Sequence, residues 1–253
     1  MKTIAVVNRK GGVGKSTTAH YIAAYFARKG AKVLMVDLDA QCTLTFLCGG
    51  KATAHNSFTT ITGNGTAAEA IQVIKDNLYL IPGSPQLITC DKLIDSIGKE
   101  HRLREALAPV QGYDYCIVDT PPTLGILTTN ALTAADYVII PAQADETSLQ
   151  GMAQVAEDIQ LIQKYANARL KIAGVAITRF NSRSAICKAT AEEIARRAAA
   201  IGSQAYSTRV RECNAIREAQ HMREDIFTYA PKSNASKDYL SLGAEIERSL
   251  DHA

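Results

Sequence analysis

The residues with the most chemistry to offer are ten consecutive positions near the start of the chain, Asn8-Arg9-Lys10-Gly11-Gly12-Val13-Gly14-Lys15-Ser16-Thr17. Their glycines free the backbone to turn so that successive N–H groups aim at one point, an arrangement suited to phosphate oxygens. The apolar run Ile4-Ala5-Val6-Val7 precedes them and a helical pattern over residues 16–29 follows, ending at Gly30. The loop therefore opens a helix, whose N-terminal dipole adds to the attraction for an anion. Lys15 is placed to reach the β- and γ-phosphates of ATP, and the Ser16 hydroxyl to ligate Mg²⁺. The pattern Gly-x-x-x-x-Gly-Lys-Ser/Thr is met at every position but the first, which holds Arg9. A second lysine, Lys10, stands beside it. The bland alternative, a glycine-rich turn with incidental lysines, is disfavoured by the order strand, loop, helix.

Two acidic sites accompany the loop. Val36-Asp37-Leu38-Asp39 ends a second apolar run. Residues two apart on a strand share a face, so Asp37 and Asp39 are expected to point together at the ligand edge of the sheet. Paired carboxylates repel unless a cation lies close, and Mg²⁺, Lys10 or Lys15 would supply one. Asp37 is therefore a candidate metal residue. Tyr115-Cys116-Ile117-Val118-Asp119 is a third such strand end, where Asp119 is expected to hold Mg²⁺ through water. Pro121 and Pro122 stiffen the segment that follows. Against each acid stands the ordinary case of a solvated strand-end carboxylate.

The elements that must carry these groups are legible as alternation. Apolar runs at 4–7, 33–36, 78–81, 115–118, 137–140 and 172–177 are separated by helical patterns. Continuous apolar strands between helices mean a sheet buried on both faces: an α/β fold with a doubly wound, mostly parallel sheet. Ligands of such sheets lie at the carboxyl ends of the strands. Residues 43–65, rich in Thr, Gly and Asn, read as a loop-rich connection with one short helix. The 253 residues carry no internal repeat or composition break, so one domain spanning 1–253 is expected. Charge and hydropathy are ordinary for a globular chain, with 47% hydrophobic residues and a net charge of +3. No run approaches the length of a membrane span, and Met1-Lys2-Thr3 leaves no room for a signal peptide, so a cytoplasmic location is expected. The six cysteines form no Cys-x-x-Cys pair, and most read as small buried hydrophobes.

The loop, with its second lysine, resembles the deviant Walker A motif of the ParA/MinD family of P-loop ATPases. The resemblance continues through Asp37-Leu38-Asp39-Ala40-Gln41, through residues 119–132, through Pro141-Ala142-Gln143, Ile177 to Asn181 and Tyr229 to Asn234. It implies nucleotide contacts from Lys10, Gly11, Gly12, Val13, Gly14, Lys15, Ser16 and Thr17. It makes Lys10 the lysine that reaches the nucleotide of a partner protomer, comparable to an arginine finger. It makes Asp39 the residue that orients the attacking water. Lys10, Lys15 and Asp39 are then the catalytic set. Ala40 replaces the family's usual Pro, which puts the hydrolysis rate in question. Arg211-Glu212-Cys213 aligns with the family's Pro-Arg-Asn stretch, so Arg211 and Cys213 are the implied adenine contacts.

Within that family the sequence is most similar to the ParA/Soj branch, which binds DNA non-specifically as an ATP-dependent homodimer and is stimulated by a ParB-like protein. Between Arg179 and Arg223, nine of the 28 Lys/Arg face four of the 25 acidic residues, an excess of +5 where the rest of the chain carries −2. DNA binding needs such a surface, although charge runs are also solvated helix faces. The resemblance places Arg183 on a DNA-contacting position, with Arg211 and Arg217 nearby, and implies a nucleoid-associated protein. No membrane partner is expected, because the end of the chain, Glu245 to Asp251, is acidic rather than basic. The chain begins at its first strand, without a helix-turn-helix before it. Two other readings stay open: a membrane-recruited, MinD-like site-placement ATPase, and a weakly hydrolysing ATP-bound scaffold.

Overall fold

The computed structural model describes residues 1–252. The strands are β1 (Lys2–Val6), β2 (Val33–Asp37), β3 (Gln72–Lys75), β4 (Leu78–Ile81), β5 (Tyr115–Asp119), β6 (Tyr137–Gln143), β7 (Lys171–Phe180) and β8 (Ala205–Arg211). The α-helices are α1 (Lys15–Arg28), α2 (Thr43–Leu47), α3 (Ser57–Thr62), α4 (Ala67–Ala70), α5 (Cys90–Leu93), α6 (Arg102–Leu107), α7 (Ile126–Ala134), α8 (Glu146–Tyr165), α9 (Ala185–Ala200), α10 (Asn214–Met222), α11 (Ile226–Tyr229) and α12 (Asn234–His252). The strands form one eight-stranded sheet in the order β3-β4-β2-β5-β1-β6-β7-β8. Every neighbouring pair is parallel except β3 with β4.

The alternation of side chains along each strand builds two cores. From β1 and the residue after it, Ala5 and Val7 enter one cluster while Ile4 and Val6 enter the other. All five residues of β2 are buried. Each Ile, Leu or Val removed from water in this way contributes about 1.5–3 kcal/mol before entropy is counted. One core packs α7, α8 and α9; the other packs α1, α10, α11 and α12.

The chain leaves β1 for β2 on one side and later crosses from β5 to β6 on the other. The crevice at the carboxyl end of β1 is thus a switch point, where doubly wound sheets bind ligands. The phosphate loop, Asp37 and Asp119 all stand at that edge.

One local expectation is corrected, and two edge strands appear that the apolar runs did not announce. Residues 43–65 hold two helices, α2 and α3, and the second is fixed by a capping box between Asn56 and Thr59. The edge strands β3 and β8 do not carry continuous apolar runs. In β3, side chains alternate between half-buried and exposed. In β8, Ser207 and Thr208 bond the Glu245 carboxylate of α12 instead of filling a core. Among the described residues, no helix is long and apolar enough to cross a membrane.

Candidate functional site

The loop from Asn8 to Gly14 is shaped by partners outside it. Asn8 is fully buried; its Oδ1 accepts from the Lys10 N–H at 2.8 Å and its Nδ2 donates to the Pro141 carbonyl at 2.6 Å. Thr178 Oγ1 donates to the Val13 carbonyl at 2.8 Å, and Gln143 Nε2 to the Gly12 carbonyl at 3.0 Å. Carbonyls are thereby drawn away from the crevice. Gly12 and Gly14 have φ of +77° and +88°, a region that side chains disfavour. No atom lies within 4 Å of where a Cβ on Gly11 or Gly12 would stand, so both face open space. Arg9 needs no glycine at its position: its φ is not positive, and its side chain leaves the loop for α8, where it meets Asp158 in a bidentate pair at 2.6 and 2.7 Å.

Lys15, Ser16, Thr17 and Asp39 line a cleft of about 380 Å³. Lys15 is 7% exposed and donates to the Lys10 carbonyl at 3.2 Å. Burial lowers its pKa, and Asp119 and Asp39 oppose that shift. Asp119 is fully buried, and neither of its carboxylate oxygens has a hydrogen-bond partner among the described residues. Burial and the neighbouring Asp37 push its carboxyl well above the usual range, while Ser16 and Lys15 pull the other way. An unpartnered carboxylate beside a serine hydroxyl is a setting a hard divalent cation satisfies, so the residues present fit Mg²⁺.

Asp37 departs from the expectation. Its Oδ2 accepts from Thr45 N at 2.8 Å and Thr45 Oγ1 at 2.7 Å, and its Oδ1 accepts from Asp39 N at 3.1 Å. Burial raises its carboxyl to about 6 despite these bonds. Asp37 thus anchors α2 and the turn after β2, whereas Asp119, also of the expected metal set, has no such partners. Asp39 does not share its direction and opens into the cleft, with its Oδ1 accepting from Gln41 N at 3.0 Å.

A smaller recess adjoins the cleft through Gly14, Thr17, Arg179 and Gln220, and Cys213, Arg211 and Arg217 border it. Gln220 Nε2 donates to Thr17 Oγ1 at 2.8 Å across the passage between the two. Arg211 lines this recess, but its guanidinium is held by Asp238 at 2.6 and 2.9 Å. Two of its guanidinium nitrogens, Nε and Nη2, are thus engaged by α12, while the side chain stays 40% exposed. Arg217 pairs with Glu212 at 2.9 Å on the rim of the same recess. Arg196 and Arg197 both pair with Glu193. Arg183, just before α9, and Lys188, in its first turn, are exposed and form no ion pair among the described residues, as is also true of Arg179 and Arg223.

Lys10 does not line the cleft. Its ammonium lies 2.5 Å from Asp145 Oδ2, at the N-terminus of α8.

Comparison with known proteins agrees with this geometry. The protein-family model for the AAA domain matches residues 1–172. The sporulation initiation inhibitor protein Soj of Bacillus subtilis is 37% identical over 252 residues, covering 97% of this chain and 98% of Soj. The chain belongs to the Soj/ParA family of partitioning ATPases. Another member, the chromosome partitioning protein ParA of Myxococcus xanthus, is 34% identical, covering 97% of this chain and 87% of its own. Among solved structures, a Mycobacterium smegmatis protein described as cobyrinic acid a,c-diamide synthase, with a bound ATP analogue and magnesium, superimposes with a TM-score of 0.84 at 28% identity. It covers 99% of this chain and 96% of its own.

Sequence reasoning on this Soj/ParA member did not find Thr45, Asp145, Asp158 or Gln220. Each acts through a contact made far along the chain or by a residue type that carries no motif. Only Asp145, a helix-capping acid just after a strand at the ligand edge, had a local signal that could have found it.

Proposed function

We propose that this chain binds Mg·ATP in the crevice at the end of β1, pairs face to face with a second copy, and binds DNA without sequence preference in that state. The observation that carries the nucleotide part is the buried, unpartnered Asp119 carboxylate beside Ser16, facing a glycine loop that supplies Lys15 and a second lysine. Bound Mg²⁺ would supply charge neutralisation between Asp119, Ser16 and the phosphates. Around it, the glycine-loop N–H groups and Lys15 hold the phosphates, and Asp39, open to the cleft, orients water. Burial keeps bulk solvent from Lys15 and Asp119, which strengthens each charge contact. Lys10 reaches the partner's phosphates, so each site is complete only in the dimer.

The DNA part is supported by the likeness to Soj and ParA over nearly the whole chain and by the unpaired Arg183 and Lys188. Hydrolysis, stimulated by a ParB-like protein, releases the DNA; the role is segregation of a chromosome, plasmid or other replicon on the nucleoid. The test is binding to a random duplex of about 60 base pairs at two salt concentrations, with ATP, ADP or no nucleotide. Binding that needs ATP, weakens with salt by roughly one order per phosphate contact per tenfold in salt, and is lost in Arg183→Glu/Lys188→Glu is expected. Absence of binding in every nucleotide state would refute the DNA reading and point to a protein- or membrane-directed relative.

A further inference from the structure

Lys10 is held by a carboxylate of its own chain. Its Nζ lies 2.5 Å from Asp145 Oδ2 and 3.5 Å from Ser148 Oγ. The other oxygen of the same carboxylate caps α8: Oδ1 accepts from Ser148 N at 2.8 Å and from Thr147 Oγ1 at 2.9 Å. One side chain thus fixes the start of α8 and the direction of Lys10. Gly151 lets α8 pack against the loop: an added Cβ would come within 3.2 Å of Asn8 Oδ1 and 4.0 Å of Lys10 Cβ. Burial raises the Asp145 carboxyl, but the Lys10 ammonium and the Ser148 and Thr147 donors outweigh this and bring it down to about 2.

The geometry points to Asp145 as a restraining residue that competes with a partner protomer's phosphates for the Lys10 ammonium and so sets the threshold for nucleotide-dependent pairing of two copies. The inference rests on the reading above that Lys10 acts in trans. An ammonium folded onto α8 must leave Asp145 before it extends across an interface, and the ion pair is lost in doing so. With side chains 26% and 40% exposed, the pair is a partly solvated one. Such pairs shift an equilibrium by roughly two- to fivefold. A residue that instead presented Lys10 to the partner would act with the opposite sign.

The test uses Asp145→Asn, which removes the charge and keeps an oxygen for the helix cap, since Asn caps as well as Asp. Dimer dissociation constants are measured by sedimentation with Mg²⁺ and a non-hydrolysable ATP analogue, for the wild type, Asp145→Asn, Lys10→Ala and the double variant. ADP affinity is measured alongside. The expected result is a dimer constant tightened about two- to fivefold in Asp145→Asn, with ADP affinity unchanged. In the Lys10→Ala background the same substitution adds nothing, a coupling that a purely structural cap would not show. An unchanged or weakened dimer in Asp145→Asn overturns the inference, as does an equal effect with Lys10 absent. Lys10→Ala pairing as tightly as the wild type overturns the trans reading itself, and the restraint with it.

Discussion

Replacing Asp119 by Asn separates what the site does for function from what it costs the fold. The Asp119 carboxylate is fully buried without a partner and stands directly across the β2–β5 ladder from Asp37. Adjacent strands lie about 5 Å apart. Two carboxylates at that separation repel by about 3 kcal/mol at an effective dielectric constant of about 20. The amide also removes the attraction between Asp119 and Lys15, which costs back roughly 1–2 kcal/mol. Asp119→Asn is therefore expected to stabilise the nucleotide-free protein by about 1–2 kcal/mol, or roughly 2–8 °C in Tm for a chain of this size. Thermal unfolding at pH 8 in EDTA measures it. Saturating Mg·ADP reverses the order. At a hundredfold excess over Kd the wild type gains about 2.7 kcal/mol, and the variant, without its metal carboxylate, gains much less. A variant that is less stable than the wild type in EDTA would show that Asp119 is satisfied by the fold itself, and the metal assignment would lose its physical basis.

Two further outcomes follow from the packing. Arg9→Gly restores the glycine of the standard phosphate-loop pattern but leaves the largely buried Asp158 without its bidentate partner. Stability is expected to fall by about 1–3 kcal/mol, read as a lower denaturant midpoint, with ATP affinity within about twofold. His20 is buried, has no partner for Nδ1, and burial lowers its pKa to about 4 from 6.5. Because the folded state binds the proton more weakly, stability is lost as pH falls from 6.5 towards 4, by about 2 kcal/mol between pH 7 and pH 5. Asp37, raised to about 6, works in the opposite sense, so the quantity to measure is the wild type minus His20→Leu. A pH-independent difference would refute the assignment.

The centre of this molecule was legible and its margins were not. β1, β2, β4, β5, β6 and β7 are buried on both faces, so each leaves a continuous apolar run that no other element needs. The phosphate loop was readable because all its chemistry lies in consecutive residues. β3 and β8 lie at the sheet edges, where only one side of each strand is hydrogen-bonded to a neighbour, and their sequences are mixed. The bonds of Asp37 were hidden for a related reason. Strand periodicity fixes which way a side chain leaves a strand, but Asp39 lies beyond the end of β2, and Thr45 in the following helix, α2, takes up the Asp37 carboxylate. Arg211, at the end of β8, read as a free cation because its partner, Asp238, is 27 residues away on α12.

The position of β1 bears on how the chain is made. β1 is synthesised first, yet its hydrogen-bonding neighbours are β5 and β6, which begin at Tyr115 and Tyr137. At about 5–20 residues per second, the ribosome takes on the order of ten seconds to supply them. During that interval Ile4 to Val7 and the loop behind them have no sheet to join, and the phosphate-binding crevice has no walls. The last helix returns to the same place, where Lys2 Nζ meets the Leu250 carbonyl. Nucleotide therefore cannot template β1 until β5 and β6 have been made.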